Sequence, residues 1–435
     1  MSGLVHDVVV VGAGLTGLST AWRVRRSGRS VVLLEAGPRV GGVVRTERVG
    51  GYRVERAAGT FPSSAAALME LHASLPTPPA IRTPDPATNG QFLWTGRGLV
   101  ALPRNPPALF KSPLLTLGQK VRMIAEVTRG PRRVRTPESA HAFVRRRFGR
   151  AVADNLLRPM TLGIYGTPPE QIGMADAFPS IPEMERTAGS LLKGMSKRKG
   201  ATKRAILVFE DGMEAFPRAI GDALGDALRL SSPVTALVPE GDVVRVTTEA
   251  GASYAARRVV LATTAADQAR LVAPFSGIAA GVLGAVRTVP MMVVAVGIPP
   301  GGSPAIPPAF GFLRGTGAKG RILGALFHSH FNPAVAPPGH ALLNVFVGGG
   351  ADPDAMALGD DEVRALVERD LATALGGPVR PDLVSVYRWA KAIPILAPGH
   401  RTRMAEAQGL LPPWLVLSGS HVTGVGVHAC AAATA

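Results

Sequence analysis

Residues 8–35 run from an apolar stretch through a glycine turn and an amphipathic segment to a second apolar stretch closed by an acid. The turn is Gly12-Ala13-Gly14-Leu15-Thr16-Gly17, and Glu35 stands 23 residues after Gly12. In that setting G-x-G-x-x-G reads as a dinucleotide fingerprint. The first glycine allows the tight turn, the second lets backbone approach a pyrophosphate, and the third lets helix and strand pack closely. The helix start would present free N–H groups to phosphate. Glu35 can accept from ribose hydroxyls, and its charge disfavours a 2′-phosphate, which argues against NADP.

A chain of 435 residues has length for two or three lobes with a sizeable core. A single cysteine, Cys430, leaves no internal disulfide and no cysteine-based metal site, and the histidines show no metal-ligand spacing. Met1 to His6 has no basic run, so a signal peptide is not expected. The long, nearly uncharged stretch 271–313 holds six prolines in its second half, and its first half is shorter than a membrane span, so both read as core. The net charge is +17, and residues 97–204 alone carry 21 Lys/Arg against 7 Asp/Glu. Such a segment attracts anionic surfaces. No nucleic-acid recognition motif accompanies the charge, so no nucleic-acid partner is expected.

Strands are expected at 7–11, 31–34, 205–209, 234–238, 243–248 and 259–262, with helices at 15–27, 65–75 and 213–228. A hairpin is expected at 91–94 and 99–102, around Gly96-Arg97-Gly98. Residues 106–196 read as helical and proline-broken, with one helix over 136–157 starting at Thr136-Pro137-Glu138-Ser139. Residues 197–204 read as a basic turn. A second set of strands is expected at 291–296, 311–313, 322–328, 341–346 and 384–389, a helix at 360–375, a strand at 415–418 and a last helix from Gly424.

The residues after Glu35 sharpen the nucleotide assignment. Arg39, Gly41, Gly42 and Thr46 stand as in the "E-x-x-x-R-x-G-G-x-x-x-T" extension of large FAD enzymes. Leu415 to Val427 resembles their C-terminal flavin-binding motif, in which a second helix start faces the flavin. The chain thus resembles the amine-oxidase-like FAD superfamily. That resemblance implies an α/β (mixed α+β) fold with a Rossmann-like, glutathione-reductase-type FAD domain. It implies FAD contacts at Gly12, Gly14, Leu15, Thr16, Gly17, Glu35, Ala36, Arg39, Gly41, Gly42, Val43, Val44, Gly59 and Thr60. Further contacts are implied at Val234, Thr263, Trp389, Gly419, Gly424, Val425 and Val427.

Within that superfamily the chain resembles the oxygen-dependent protoporphyrinogen oxidases. The motifs are Phe92-Leu93-Trp94 with Leu102-Pro103-Arg104-Asn105-Pro106, Arg158-Pro159 through Gly163-Ile164-Tyr165-Gly166, Phe209-Glu210-Asp211-Gly212-Met213 and Trp389-Ala390-Lys391-Ala392-Ile393-Pro394. The resemblance implies an FAD domain (1–75, 205–270, 391–435), a β-sheet substrate domain (76–96, 271–390) and a helical, basic membrane-binding insertion (97–204). It implies oxidation of protoporphyrinogen IX to protoporphyrin IX with O2, six electrons leaving in three hydride transfers to flavin N5. The implied substrate residues are Leu313, Leu326, Phe346, Gln91 and Gly166, and no certain catalytic side chain is implied. Gln91 stands where the family often has an arginine for a propionate, and it supplies no charge. Arg82, Arg97 and Arg104 are the candidate replacements. The implied location is the cytoplasmic face of an anionic membrane, peripheral or monotopic, or the cytoplasm, and a homodimer is open. Alternatives are coproporphyrinogen III oxidation, another amine oxidase or desaturase, and a catalytically silent membrane flavoprotein.

Overall fold

The computed structural model describes residues 4–103, 106–131, 136–197 and 205–434. A first sheet of seven strands forms around Val5–Val11, which lies between Val31–Leu34 and Ser253–Leu261, parallel to both. Leu228–Arg229 extends it beyond Val31–Leu34, and Leu415–Leu417 pairs with Ser253–Leu261, again in parallel. Ser253–Leu261, Val243–Thr248 and Val234–Glu240 form the expected antiparallel meander. The unbroken valine run at 8–11 follows from burial on both faces. Val8 and Val10 feed a core with Leu18, Trp22 and Phe216, whereas Val9 and Val11 feed one with Leu271, Leu283 and Met404.

The second seven-stranded sheet runs in the order Leu383–Pro394, Thr288–Ile298, Ala341–Gly348, Ile322–Phe327, Gly311–Arg314, Gln91–Thr95, Gly98–Ala101. One face, with Val294, Phe312, Ala325 and Val345, packs on Val363, Leu366, Val367 and Leu371 of the helix Asp360–Leu375. Alternation sends Leu313, Leu326 and Phe346 to the opposite face. Gly98–Ala101 completes the hairpin with Gln91–Thr95, which therefore straddles residue 97, where the helical insertion was expected to begin.

The insertion is helical, in short pieces, and three expected boundaries need correction. The 136–157 segment starts its helix at Ala140, because the Ser139 hydroxyl accepts from the Ala142 N–H at 3.1 Å. It stops at Gly149, whose φ of +98° ends the helix, and it resumes at Arg150–Val152 and runs into a π-helical turn over Ala153–Leu157. Residues 213–228 form an α-helix only over Ala215–Leu224, followed by a 3-10 turn over Gly225–Ala227, and Leu228 joins the first sheet. The last segment forms two short helices, Ser420–Thr423 and Val427–Ala431, separated by Gly424 at φ +115°. The basic turn expected at 197–204 lies, beyond Lys197, outside the described residues.

A buried ion cluster ties the insertion together. Glu126 is fully buried and accepts from the Ser190 hydroxyl (2.6 Å) and the Leu191 and Leu192 amides (2.9 and 3.2 Å), so it closes the start of Leu191–Lys197. Burial opposes its charge, but these donors and Arg147 outweigh it and hold the carboxyl below its usual range. Arg147, 1% exposed, pairs with Glu126 and donates to the Gly130 and Gly189 carbonyls at 2.9 and 3.0 Å. Arg147→Leu would leave Glu126 buried and unpaired, at a cost of about 3–5 kcal/mol. Chemical denaturation should show the lower midpoint, and Glu126→Leu in the same chain should recover part of it.

Candidate functional site

The candidate nucleotide site is built from the glycine turn upward. Gly12 takes φ +100° and donates to the Leu34 carbonyl at 2.7 Å, locking the turn to the neighbouring strand end. A Cβ on Gly17 would stand 1.9 Å from the Gly12 carbonyl oxygen, so only glycine lets the helix Leu15–Arg26 sit this close to the strand. Gly14 differs from both. Its φ of −65° and ψ of 170° suit any residue, and no atom of the described residues lies within 4 Å of where its Cβ would be. Neither backbone nor packing accounts for this glycine, and the open space suits a phosphate group at the helix start.

The second glycine loop docks on the first. Gly41 donates to the Ala13 carbonyl at 2.8 Å and bridges Gly14, and a Cβ on Gly42 would approach the Gly14 Cα to 3.3 Å. Leu15 and Thr16 are buried at the helix start, Val44 is buried below the loop, and Val43 and Ala36 are exposed. Glu35 accepts from the Ala13 and Gly37 amides at 2.6 and 2.8 Å, so its carboxylate is fixed at the strand end. Arg39 donates to the Val40 and Gly42 carbonyls at 3.1 and 2.7 Å, which makes it a brace of its own loop.

Distant segments join these loops. The Thr263 methyl would lie 3.0 Å from a Gly12 Cβ, and its buried hydroxyl has no partner among the described residues. Gly419, at φ +108°, abuts the Thr263 carbonyl. Val234 packs in one core with Val11 and Leu34, and its carbonyl accepts from Arg270 at 3.2 Å. Val427 packs on the core beside the helix Leu15–Arg26, while Gly424 and Val425 form the turn before it. Toward the second sheet, Gly59 is buried against His328, Thr60 is half-buried beside it, and the Trp389 indole donates to the Arg56 carbonyl at 2.8 Å. Gln268 carried no signal in the sequence. Fully buried, it donates to the Leu261, Thr263 and Ser418 carbonyls at 2.8, 3.1 and 2.6 Å, clamping two strand ends of the first sheet.

Leu313, Leu326 and Phe346 share one face of the second sheet. Leu313 pairs with Gly324, Gly324 with Phe346, and Leu326 with Asn344. All three are only half-buried, although most of their strand neighbours are fully buried. Gly163 of the helix Arg158–Tyr165 packs directly on Leu313, where a Cβ would come within 2.2 Å. Gly166 does not join this group. It ends that helix at φ +60°, its carbonyl accepts from Gly350 at 2.6 Å, and Met291 fills the space a side chain would need.

Gln91 lies in the row of Gly311 and Leu326, two strands from Leu326, with its side chain exposed. Of the candidate cations, Arg82 pairs with Glu210 at 3.3 Å and Arg104 lies outside the described residues. Arg97, at the hairpin tip, lines a cleft of about 350 Å³ with Leu93, Thr95, Val100, Asn155 and Thr316. Leu93 pairs with Leu313, so cleft and slot walls are neighbours. Burial pushes the His328 and His421 imidazoles down to about 4, so both are neutral near pH 7. Glu55, buried beneath the Met213 turn, is raised by burial to about 7. Among the described residues no group of three or more His, Cys, Asp or Glu could hold a metal ion.

Gly14→Val should leave the apoprotein's melting temperature unchanged and abolish copurifying flavin. Gly17→Val should lower both, because it breaks a packing contact as well. Visible absorbance and calorimetry on the two variants check this.

A family model described as "Flavin containing amine oxidoreductase" matches residues 15–433. The chain is 27% identical to "Protoporphyrinogen oxidase 1, chloroplastic" of Spinacia oleracea, covering 98% of this chain and 82% of that one. It is 24% identical to "Coproporphyrinogen III oxidase" of Bacillus subtilis, covering 99% and 96%. A crystal structure named "Putative protoporphyrinogen oxidase", from Exiguobacterium sp. 255-15, has a TM-score of 0.84 at 24% identity over 98% and 96% of the two chains, a likeness of fold. The mixed α/β architecture agrees, and FAD is the cofactor. The chain belongs to the flavin-containing amine oxidoreductase family.

Proposed function

We propose that this protein oxidises a porphyrinogen, protoporphyrinogen IX to protoporphyrin IX, with three O2 reduced to three hydrogen peroxide. The observation that carries the reading is the half-open patch of Leu313, Leu326 and Phe346 on an otherwise buried sheet. An apolar macrocycle needs such a wall, with few polar groups. FAD supplies the hydride acceptor and the route to O2. The chain's own residues hold the macrocycle and exclude water. The Arg97 guanidinium, which has no ion-pair partner among the described residues, anchors a substrate carboxylate from the adjoining cleft. The same cleft, walled by Thr95, Asn155 and Thr316, favours coproporphyrinogen III as the second reading, since that substrate carries more carboxylates.

In this reading the first sheet is a glutathione-reductase-type FAD domain and the helical insertion rests on an anionic membrane. No helix among the described residues is long and apolar enough to cross a membrane. The support for a surface contact is the helix Leu117–Ile124, which turns Leu117, Val121 and Ile124 outward, 70%, 58% and 39% exposed. It buries Lys120, whose ammonium donates to the Phe110 and Ser112 carbonyls at 2.7 and 2.8 Å. An apolar stripe in a strongly basic segment combines the two attractions that interfacial binding needs.

Flavin-loaded protein in air should generate porphyrin fluorescence faster from protoporphyrinogen than from coproporphyrinogen. The reverse preference selects the second reading, and silence with both overturns the proposal. Arg97→Gln should raise KM about tenfold with kcat little changed, the loss expected for one charge-assisted hydrogen bond. Leu117→Glu with Val121→Glu should abolish sedimentation with anionic vesicles and leave turnover in detergent intact. Retained sedimentation removes the membrane assignment.

A further inference from the structure

Asn344 stands on the same face as the expected substrate wall. Its strand partner is Leu326, and alternation puts its side chain on the side that Phe346 takes two residues on. It is 1% exposed. Its side-chain N–H donates to the Glu55 carbonyl at 2.8 Å. That carbonyl can only accept, so the amide orientation is fixed: the nitrogen faces Glu55, and the side-chain oxygen is the free atom. This oxygen is buried and has no partner among the described residues. A buried amide oxygen left without a donor costs about 1–3 kcal/mol, and a donor arriving from outside the chain would relieve that cost.

We propose that the Asn344 side-chain oxygen accepts a hydrogen bond from a pyrrole N–H of the bound porphyrinogen and so fixes the macrocycle against Leu326 and Phe346. The inference rests on the porphyrinogen reading. Its chemistry also gives direction to turnover. Oxidation removes N–H hydrogens from the macrocycle and flattens it, so the product offers this oxygen fewer donors in a different plane. Asn344 thereby favours the reduced ligand over the oxidised one. Apolar contacts with Leu313, Leu326 and Phe346 read the shape of the carbon surface and do not sense the number of N–H donors.

The test measures two quantities on flavin-loaded protein: KM for the porphyrinogen, and the inhibition constant of its oxidised porphyrin. Asn344→Leu keeps the volume and removes the acceptor, and Asn344→Ser, which keeps a hydroxyl for Glu55, serves if the leucine variant does not fold. The expected result is a fall of about five- to tenfold in the ratio of product inhibition constant to KM, the size of one neutral hydrogen bond. Flavin content should be unchanged. Because the ratio reads only folded sites, loss of stability does not move it. A ratio within twofold of the parent overturns the inference, as does a variant that loses flavin while its ratio holds. If the unaltered protein oxidises no porphyrinogen, the parent reading fails instead.

Discussion

Backbone contact between Gly12 and Gly17 is the constraint on which the rest of the molecule depends. With a Cβ at Gly17 the helix could not lie on the strand, since that atom would overlap the Gly12 carbonyl oxygen. The close approach lets Leu18 and Trp22 share a core with Val8 and Val10. It also sets the helix start beside Gly14, where space is open, and gives the Gly41 loop a backbone edge to bridge. A helix start can meet an anion with main-chain N–H groups alone, and Arg39 is bound to its own loop.

The helical insertion is joined to this site through buried polar groups. Asp176 accepts from the Gly399 and Arg401 amides at 3.0 and 2.8 Å, fixing the start of His400–Gly409. The His400 ring then bonds the His421 carbonyl at 2.6 Å, and the His421 ring meets Gln268 at 3.1 Å. Gln268 holds the Thr263 carbonyl beside Gly12. Each link is a directional bond away from water, where an unmet partner is costly. The insertion is therefore held in register with the nucleotide end as well as packed against it.

Local patterns proved legible where one physical cause dominated. Valine runs buried on both faces gave the first sheet, and Asp360–Leu375 begins and ends as its acids and Gly376 suggest. Boundaries shifted where backbone geometry competed with pattern. Gly149 cut the helix expected over 136–157, and Gly225 cut the one expected over 213–228. Long-range pairing was not legible. Nothing near Arg82 announces Glu210, and nothing near Gly166 announces that Met291 and Gly350 will claim its surroundings. The insertion's outward apolar stripe is carried by Leu117, Val121 and Ile124 because Lys120 turns inward to backbone carbonyls.

The sequence alone determined the nucleotide loop, its acid and its glycine extension, because these act through backbone conformation within a few tens of residues. It also determined the alternation that sends Leu313, Leu326 and Phe346 to one side of a sheet. Tertiary structure decided which polar groups would be satisfied. Among the described residues it left the oxygen of Asn344 and the hydroxyl of Thr263 without partners, used up Arg39, and turned Arg97 toward a cleft. A hydrogen bond is settled by which groups meet across the fold, and chain order does not encode that meeting.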